Sequence, residues 1–454
     1  MKHFLFIVLL LLCSCIQMPQ DDIVSRANTR WQDSLFRNPF PAPNLPVLPN
    51  SNADLARDFL DLSFSLESGR ALPMLTRFEG PISVHLSEHA AESLPSDLNR
   101  LIRRLRTEAG LEIFLTQSKA ANITIQSVSR AQLRKALPNA ACFVVPNVNS
   151  LRDFQLRRNS KAASWSHQTE RHKVMIFLPS DATPQEVRDC LHEEFAQALG
   201  PLNDLYRLPN SVFNDDNVHT VLTSFDMLIL KITYASDLHS GMSRTQVQDR
   251  LPAILNKINP RGISRSPSNL KPTPRVWINL IQTSFSPDIS ISRRHSAARQ
   301  SVSVAQTNGW QDHRLGLSYF SLALITQSQD IKKSESLFKA AMENFRRSPQ
   351  SRLHRAYTAS HLASYALIDN RPQYALDMVE PNIKIAWEFE NATLLATLLL
   401  LKAEALDNLG RGDEARSVRL DSSHLAGYGF DSERAWNTKR RAISELSAGM
   451  QNGG

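Results

Sequence analysis

The chain has 454 residues and a mass of 51.1 kDa, which is too long for one ordinary hydrophobic core and predicts roughly three folded units. A hydrophobic content of 42% and a charged content of 21% are typical of a globular protein and argue against wholesale disorder or a multi-pass membrane protein. Lys and Arg total 52 and Asp and Glu total 44, so the formal net charge is +8. This surplus permits anionic partners, such as membrane phosphates, cell-wall polymers or nucleic acid, but selects none of them.

The N-terminus has the pattern of an export signal. A basic start at residues 1–3 precedes an unbroken apolar run over residues 4–12, which is too short to cross a bilayer as a helix. The segment Leu-Cys-Ser-Cys at residues 12–15 resembles the bacterial lipobox. The resemblance implies that residues 1–14 are a lipoprotein signal peptide and that Cys15 becomes the lipidated first residue. An ordinary secretory peptide, cleaved a few residues later, is the alternative.

The residues after the lipobox predict where the protein is held. Ile16 follows the cysteine where an aspartate could stand, which resembles the outer-membrane sorting of Gram-negative lipoproteins. Residues 15–52 then read as a tether, because prolines recur through residues 38–49 and favour extended, polyproline-like backbone. We therefore expect a lipid-anchored protein of the bacterial cell envelope, in the outer membrane and facing the periplasm.

The cysteine count predicts one disulfide. Removal of the signal peptide would leave Cys15, Cys142 and Cys190, and acylation of the first of these leaves an even pair in an oxidising compartment. We predict a disulfide between Cys142 and Cys190. Two buried free thiols are the alternative.

Residues 53–255 predict one α+β domain. Four segments are strand-like, at residues 82–86, 122–126, 142–145 and 174–178. A well-marked helix start follows the last of them, with Thr183 as the N-cap, Pro184 at the first helical position and Glu186 three residues after the cap. Gly200 is placed to end this helix.

Residues 256–310 change character, with many Pro, Ser and Arg residues and little periodicity, and predict an irregular linker. The segment holds eight basic residues against the single acid Asp288, so it carries +7 by itself. Its expected neighbours on an exported, anchored protein are anionic lipid or cell-wall polymer, and not nucleic acid.

Residues 311–445 predict an all-α region with an internal repeat. Leu-Ala or Lys-Ala pairs end at Ala323, Ala363 and Ala403, which lie 40 residues apart, and Ala375 and Ala415 keep the same offset. Small residues at fixed points let paired helices approach closely, as in stacked helical repeats. The segment is similar to tetratricopeptide (TPR) repeats, although its period exceeds their 34 residues. A small, non-repetitive bundle is the alternative.

One helix carries the residues with the clearest chemical pattern. Glu193 and Gln197 lie four residues apart and share a helical face, and Asn203 follows a turn at Gly200. This layout resembles the metal-binding helix of the zincin metalloproteases. The resemblance implies metal-ligand positions at Glu193, Gln197 and Asn203 and a general base at Glu194. None of the three ligand positions is a histidine, which makes a poor zinc site, so we expect no cofactor, with a divalent cation as the alternative.

The same block resembles a family of bacterial secreted or lipid-anchored proteins catalogued as domain of unknown function 2927. Its pattern is matched by Cys190, Glu193, Glu194, Gln197, Leu199, Gly200, Asn203, Asp204, Ser211, Phe213, Asn214 and Asp215. The resemblance implies a zincin-like fold over about residues 53–255. It supplies no established activity.

These patterns predict a zincin-like α+β domain followed by an all-α, TPR-like region. For the polar residues of the motif, three readings stay open: a network that braces the helix, a non-catalytic site for a ligand or cation, and an unusual hydrolase. We expect an envelope lipoprotein that acts as a non-catalytic binding or scaffold protein, with a protein or peptide partner on the helical region. The alternative is a divergent metal-dependent peptidase or cell-wall hydrolase that uses Glu194 as its general base.

Overall fold

The structure is a computed structural model that describes residues 38–40, 50–88, 90–138, 140–268 and 270–448. The predicted signal peptide, the lipidation at Cys15 and most of the predicted tether lie outside these residues. Within the described ranges, no helix has both the length and the apolar character needed to cross a bilayer.

The N-terminal part of the chain is an α/β domain built on one five-stranded sheet. Its strands are β1 (Ile82–Leu86), β2 (Ile113–Leu115), β3 (Ile123–Val128), β4 (Phe143–Pro146) and β5 (Val174–Pro179). Its first five helices are α1 (Asn52–Ser63), α2 (Leu94–Thr107), α3 (Arg130–Ala136), α4 (Leu151–Arg157) and α5 (Pro184–Leu199). The strand order is β2-β1-β3-β5-β4; β4 is antiparallel to β5, and every other pair is parallel.

The four predicted strands are present, and β2 is an addition. All six residues of β5 are buried, as expected for a strand with neighbours on both sides and helices on its faces. The short β2 escaped prediction because two of its three apolar residues, Phe114 and Leu115, are exposed at the sheet edge. At the opposite edge, β4 pairs only with β5.

Helix α5 begins and ends where the sequence predicts. The Thr183 hydroxyl accepts a hydrogen bond from the Glu186 N–H, and the Glu186 carboxylate accepts one from the Thr183 N–H, which satisfies two exposed amides of the first turn. At the other end, a Cβ on Gly200 would lie 2.9 Å from the side chain of Thr233. Only glycine lets the chain pass so close to the following helix.

The predicted disulfide is present between Cys142 and Cys190. It ties the residue just before β4 to the middle of α5, across 48 residues of sequence. The edge strand and the motif helix are therefore held together covalently as well as by packing.

From residue 224 onward the described chain is all helical. The helices are α6 (Ser224–Thr233), α7 (Arg244–Ile258), α8 (Arg275–Phe285), α9 (Ile291–Thr307), α10 (His313–Thr326), α11 (Ile331–Arg347), α12 (Arg352–Ile368), α13 (Pro372–Glu388), α14 (Ala392–Asn408), α15 (Gly412–Ser423), α16 (Ala426–Gly429) and α17 (Glu433–Ala448). The first two, α6 and α7, bury their apolar faces in the same core as the sheet.

Helices α10 to α15 form three successive hairpins with the predicted spacing. The first helices of the hairpins begin 39 and 40 residues apart, at His313, Arg352 and Ala392. The alanines of the repeat pattern are fully buried where neighbouring helices meet, namely Ala323, Ala363, Ala403, Ala375 and Ala415. The 40-residue period thus corresponds to one helical hairpin.

The prediction that residues 256–310 are irregular is wrong for much of the segment, which contains α8 and α9. Helix α8 buries Trp277 and Ile281, which are four residues apart, and α9 buries a stripe of small residues that includes Ala298. The Trp277 indole donates a hydrogen bond to the Ser318 hydroxyl of α10. Tertiary contacts stabilise these two helices, which a composition rich in Pro, Ser and Arg did not predict.

The α/β domain and the helical hairpins meet through buried charges. Glu390, in the turn between α13 and α14, pairs with Arg100 of α2 at 2.6 Å and with Arg188 of α5 at 3.5 Å. Tyr428 donates a hydrogen bond to the carboxylate of Asp97, at the start of α2. These contacts fix the motif helix to the C-terminal region.

Candidate functional site

A cavity of about 590 Å³ lies beside the C-terminal half of α5. Its remaining walls are the edge strand β4, the loop that follows α1, and the loop between α5 and α6. The loop between α5 and α6 begins at Gly200, where the chain passes close to Thr233 and turns back toward α1. There the Leu202 N–H donates to the carbonyl of Leu62.

Five carboxyl side chains line this cavity, and they come from three separate segments of the chain. They are Glu67, Glu193, Glu194, Asp204 and Asp215. Glu194 is only 5% exposed and makes no hydrogen bond or ion pair within the described residues. Oδ1 of Asp204 is also buried without a hydrogen-bond partner there. Two acidic groups therefore face the cavity with unused acceptor capacity.

The carboxyls raise one another's pKa values. Loss of solvent around Glu193 and the nearby charges of Glu67 and Asp215 raise its pKa to about 8. Burial, followed by the charge of Glu193, raises the pKa of Glu194 well above its usual range, and burial beside Glu67 does the same for Asp204. At neutral pH Glu193 therefore favours its protonated form.

Polar neighbours hold the rim of the cavity. The amide of Gln197 donates to Oε1 of Glu67 at 3.4 Å. Oδ2 of Asp215 accepts hydrogen bonds from the Tyr206 hydroxyl at 3.0 Å and from the Gln282 amide at 2.6 Å. Because Gln282 belongs to α8, the helical region contributes directly to the rim.

The structure brings Glu193, Glu194 and Gln197 together at the cavity and places Asn203 elsewhere. The Asn203 amide donates to the carbonyl of Asp61 at 2.9 Å, and the residue is not part of the cavity wall. His192 projects from another face of α5, where its Nδ1 accepts from the Leu222 N–H. Burial lowers the pKa of His192 well below its usual range, so it packs as a neutral side chain.

The serine and asparagine of the second half of the motif brace the loop. The Ser211 hydroxyl donates to the carboxylate of Asp226 at 2.5 Å, and the same carboxylate accepts from the Val212 N–H. Asn214 donates to the carbonyl of Leu208 at 3.0 Å. These bonds fix the loop that carries Asp215 to the cavity.

The donor set does not suit the zinc that a zincin-like helix implies. The polar side chains that α5 presents to the cavity are carboxyls and one amide, whereas zinc sites are built from imidazole, thiolate and carboxylate ligands. Cys142 and Cys190 are joined to each other and offer no thiolate. Among the described residues, no group of three or more His, Cys, Asp or Glu side chains is arranged to hold a metal ion.

Sequence reasoning missed three of the five carboxyls as site residues. Asp204 and Asp215 are part of the recognised motif, so their acidic character next to the helix was an available signal. Glu67 precedes the motif by more than 120 residues, and no local pattern connects it to α5. The tertiary fold places the loop after α1 against the end of α5, where the Gln197 amide donates to Glu67.

Comparison with known proteins agrees with the recognised motif. No curated protein matches the chain, and no solved structure does. Residues 52–253 match the model of a family described as protein of unknown function DUF2927. This range contains the sheet, α5 and all five carboxyls of the cavity, so the α/β part of the chain is similar to the DUF2927 family.

Proposed function

We propose that the protein is an envelope lipoprotein that acts as a non-catalytic binding or scaffold protein. The observation that carries this proposal is the double attachment of α5. One end of the helix lines the acidic cavity, and the other holds the helical hairpins through Arg188 and through Gln185, whose side chain accepts from the Thr393 N–H at 3.0 Å. The motif helix thus serves as a rigid connector between two surfaces.

The electrostatics of the cavity favour binding over catalysis. A general base must be ionised at the working pH, and its ideal pKa lies near that pH. Burial and the charge of Glu193 raise the pKa of Glu194 well above its usual range, which favours the neutral acid. The peptidase or hydrolase alternative requires something to reverse this shift before Glu194 can accept a proton.

We propose that a protein or peptide partner contacts large apolar side chains that three helices of the hairpins expose. Ile331 at the start of α11 is 53% exposed, and Leu420 on α15 is 67% exposed. Large apolar side chains left in water are typical of interaction surfaces when they are not isolated. Trp387 on α13 is 42% exposed, and its ring also contacts Phe40.

Two features support placement at a membrane surface. The lipobox-like segment before Cys15 would supply the anchor. Seven of the eight basic residues between 256 and 310 are exposed: Lys257, Arg261, Arg265, Lys271, Arg275, Arg293 and Arg299. On a lipid-anchored protein, an exposed basic surface is attracted to anionic lipid or cell-wall polymer.

Site-specific photo-crosslinking in cells tests the binding role. A photoreactive residue at Ile331 or Leu420 should give a discrete adduct, because both positions lie on the proposed partner surface. Leu156 on α4 is 77% exposed and is the matched control position on the α/β domain. Equal adducts from all three positions, or none from the helical region, would count against a partner there.

Metal analysis and one variant separate the scaffold from the enzyme. The scaffold proposal expects the purified full chain to hold no stoichiometric zinc and Glu194→Gln to preserve partner crosslinking. Stoichiometric zinc, together with peptide or cell-wall hydrolysis that Glu194→Gln abolishes, would establish the enzyme instead. For the anchor, Cys15→Ala should abolish fatty-acid labelling, and continued labelling would refute lipidation at this residue.

A further inference from the structure

The acidic cavity has the charge of a site for a cation. Its wall contains five carboxyls and, among the described residues, no basic side chain. Arg275 lies outside this wall, where its guanidinium donates to the backbone carbonyl of Glu67 at 2.6 Å, and burial still raises the pKa of Asp215. The interior is left without a positive counter-charge.

Glu194 shows that the cluster is more than a group of surface acids. Its side chain is 5% exposed and lines the cavity, yet it has no hydrogen-bond or ion-pair partner in the described structure. A buried carboxyl normally has such a partner, because burial of an unpaired polar group costs about 1–3 kcal/mol. Oδ1 of Asp204 lacks a partner as well. The Asp204 carboxyl is hydrogen-bonded to Glu67, so a bound cation would supply above all the partner that Glu194 lacks.

The shape of the cavity favours an organic cation over a metal ion. The described His, Cys, Asp and Glu side chains nowhere gather three or more ligands around one point, as a metal ion requires. The volume of about 590 Å³ falls within the range of small-molecule sites, roughly 300–1,000 Å³. Apolar side chains form part of the wall, namely Leu66, Phe143, Val144, Trp165 and Leu202. Acidic groups beside an apolar wall match a cation that carries methylene groups.

We propose that the cavity binds an alkylammonium group, a protonated primary amine at the end of a methylene chain. The ammonium donates to the carboxyls of Glu194 and Asp204, and the methylenes lie against the apolar wall formed by β4 and the two loops. The group comes either from a free diamine or from a lysine side chain of a polypeptide. This site is separate from the partner surface on the hairpins, so either proposal can fail without the other.

Calorimetric titration of the full-length protein in detergent at pH 7.5 tests the proposal. The probes are 1,5-diaminopentane, a short lysine-containing peptide, the neutral isostere 1,5-pentanediol, and Ca²⁺ and Zn²⁺ alone. We expect saturable binding of the diamine or the peptide, none of the diol, and proton release measured by comparing two buffers. Protons leave because an ammonium ion favours the ionised form of the surrounding carboxyls.

Two variants and a matched control locate the binding. Glu194→Gln should weaken amine binding at least tenfold, and so should Glu67→Gln, which changes an exposed position at the rim and leaves the core intact. Glu112→Gln, on an exposed loop away from the cavity, should leave affinity unchanged. Binding of the diamine alone identifies a free amine as the source, and binding of the peptide alone identifies a lysine side chain. No amine binding, an affinity in both cavity variants equal to that of the unmodified protein, or stoichiometric metal binding without amine binding would each overturn the proposal.

Discussion

The α/β domain buries charged side chains around α5, whereas the helical hairpins bury mainly apolar ones. Around α5 the protein buries charges, both in the pairs of Arg188 and in the carboxyls of the cavity. The hairpins α10 to α15 bury mainly alanine and leucine, with Ala363 and Ala403 fully inaccessible. The hairpins therefore depend on close packing, whereas the motif helix depends on electrostatic balance. Changes in charge should act on the first region and changes in volume on the second.

The largest effect should come from the ion pair that joins the two regions. Arg188→Ala leaves Glu390, which is 2% exposed, with only Arg100 as a partner. Breaking a buried pair from one side costs about 3–5 kcal/mol. We expect a loss of this size in the free energy of unfolding by urea denaturation. Limited proteolysis should also begin to separate the two regions.

The control for this prediction is an exposed pair between α3 and the first turn of α5, the helix that also carries Arg188. Arg130 and Glu186 lie 2.7 Å apart with side chains 36% and 54% exposed. Arg130→Ala should cost at most about 1 kcal/mol, because water screens exposed pairs. If Arg188→Ala costs no more than this, the junction between the two regions contributes nothing to stability.

The disulfide should have the next largest effect. Replacing Cys142 and Cys190 by serine together removes a constraint that spans 48 residues of the unfolded chain. A loop of this length predicts a loss of about 2–4 kcal/mol in the free energy of unfolding. The measurement is the fall in the midpoint of thermal unfolding under oxidising conditions. Reduction of the unmodified protein should reproduce the change. A reductant that lowers the midpoint of the double variant as well would show that the effect has another origin.

Glu193→Gln should make the α/β domain more stable, and only at higher pH. The pKa of Glu193 is raised to about 8 by desolvation and by Glu67 and Asp215, so the folded form holds a proton that the unfolded form loses above its ordinary pKa of 4.5. Stability therefore falls as pH rises from about 4.5 to 8. We expect the variant to gain about 2 kcal/mol at pH 8, since one pKa unit corresponds to about 1.4 kcal/mol and solvent relaxation reduces the total.

The same variant should change stability little at pH 4, where the carboxyl is protonated in both states and resembles the amide. Glu112→Gln, exposed and away from the cavity, should have no effect at either pH. The measurement is the unfolding free energy of both variants at both pH values. A gain that is equal at pH 4 and pH 8 would mean that carboxyl repulsion is not its source.

The parts of the fold that the sequence predicted are those with local signals. Thr183 and Glu186 cap α5 through hydrogen bonds between residues three apart, so the start of this helix could be predicted from the local sequence. The pairing of Cys142 with Cys190 followed from counting. Glu67 could not be assigned to the cavity, because its proximity to α5 arises from packing between distant segments. The helix around Trp277 was missed for the same reason, since its order depends on a bond to Ser318 of α10.

The smallest expected effect tests close packing in the hairpins. A Cβ at Gly316 of α10 would lie 2.8 Å from the ring of Phe345 on α11. Alanine gains about 1 kcal/mol over glycine from helix propensity, but forcing atoms into a filled core costs about 1–3 kcal/mol. We expect Gly316→Ala to lower the unfolding free energy by about 1 kcal/mol.

A matched glycine without a crowding neighbour gives the opposite sign. At Gly412, where α15 begins, the nearest atom to a new Cβ is 3.6 Å away on Arg416, so Gly412→Ala should gain up to about 1 kcal/mol. Combining Gly316→Ala with Phe345→Leu should cost less than the sum of the two single changes, because the ring that meets the new methyl is gone. If the free-energy changes of the two single variants simply add, the contact between α10 and α11 can accept the extra methyl group without strain. The stability of the hairpins would then not depend on close packing, and the contrast with the motif helix, whose stability depends on charge, would fail.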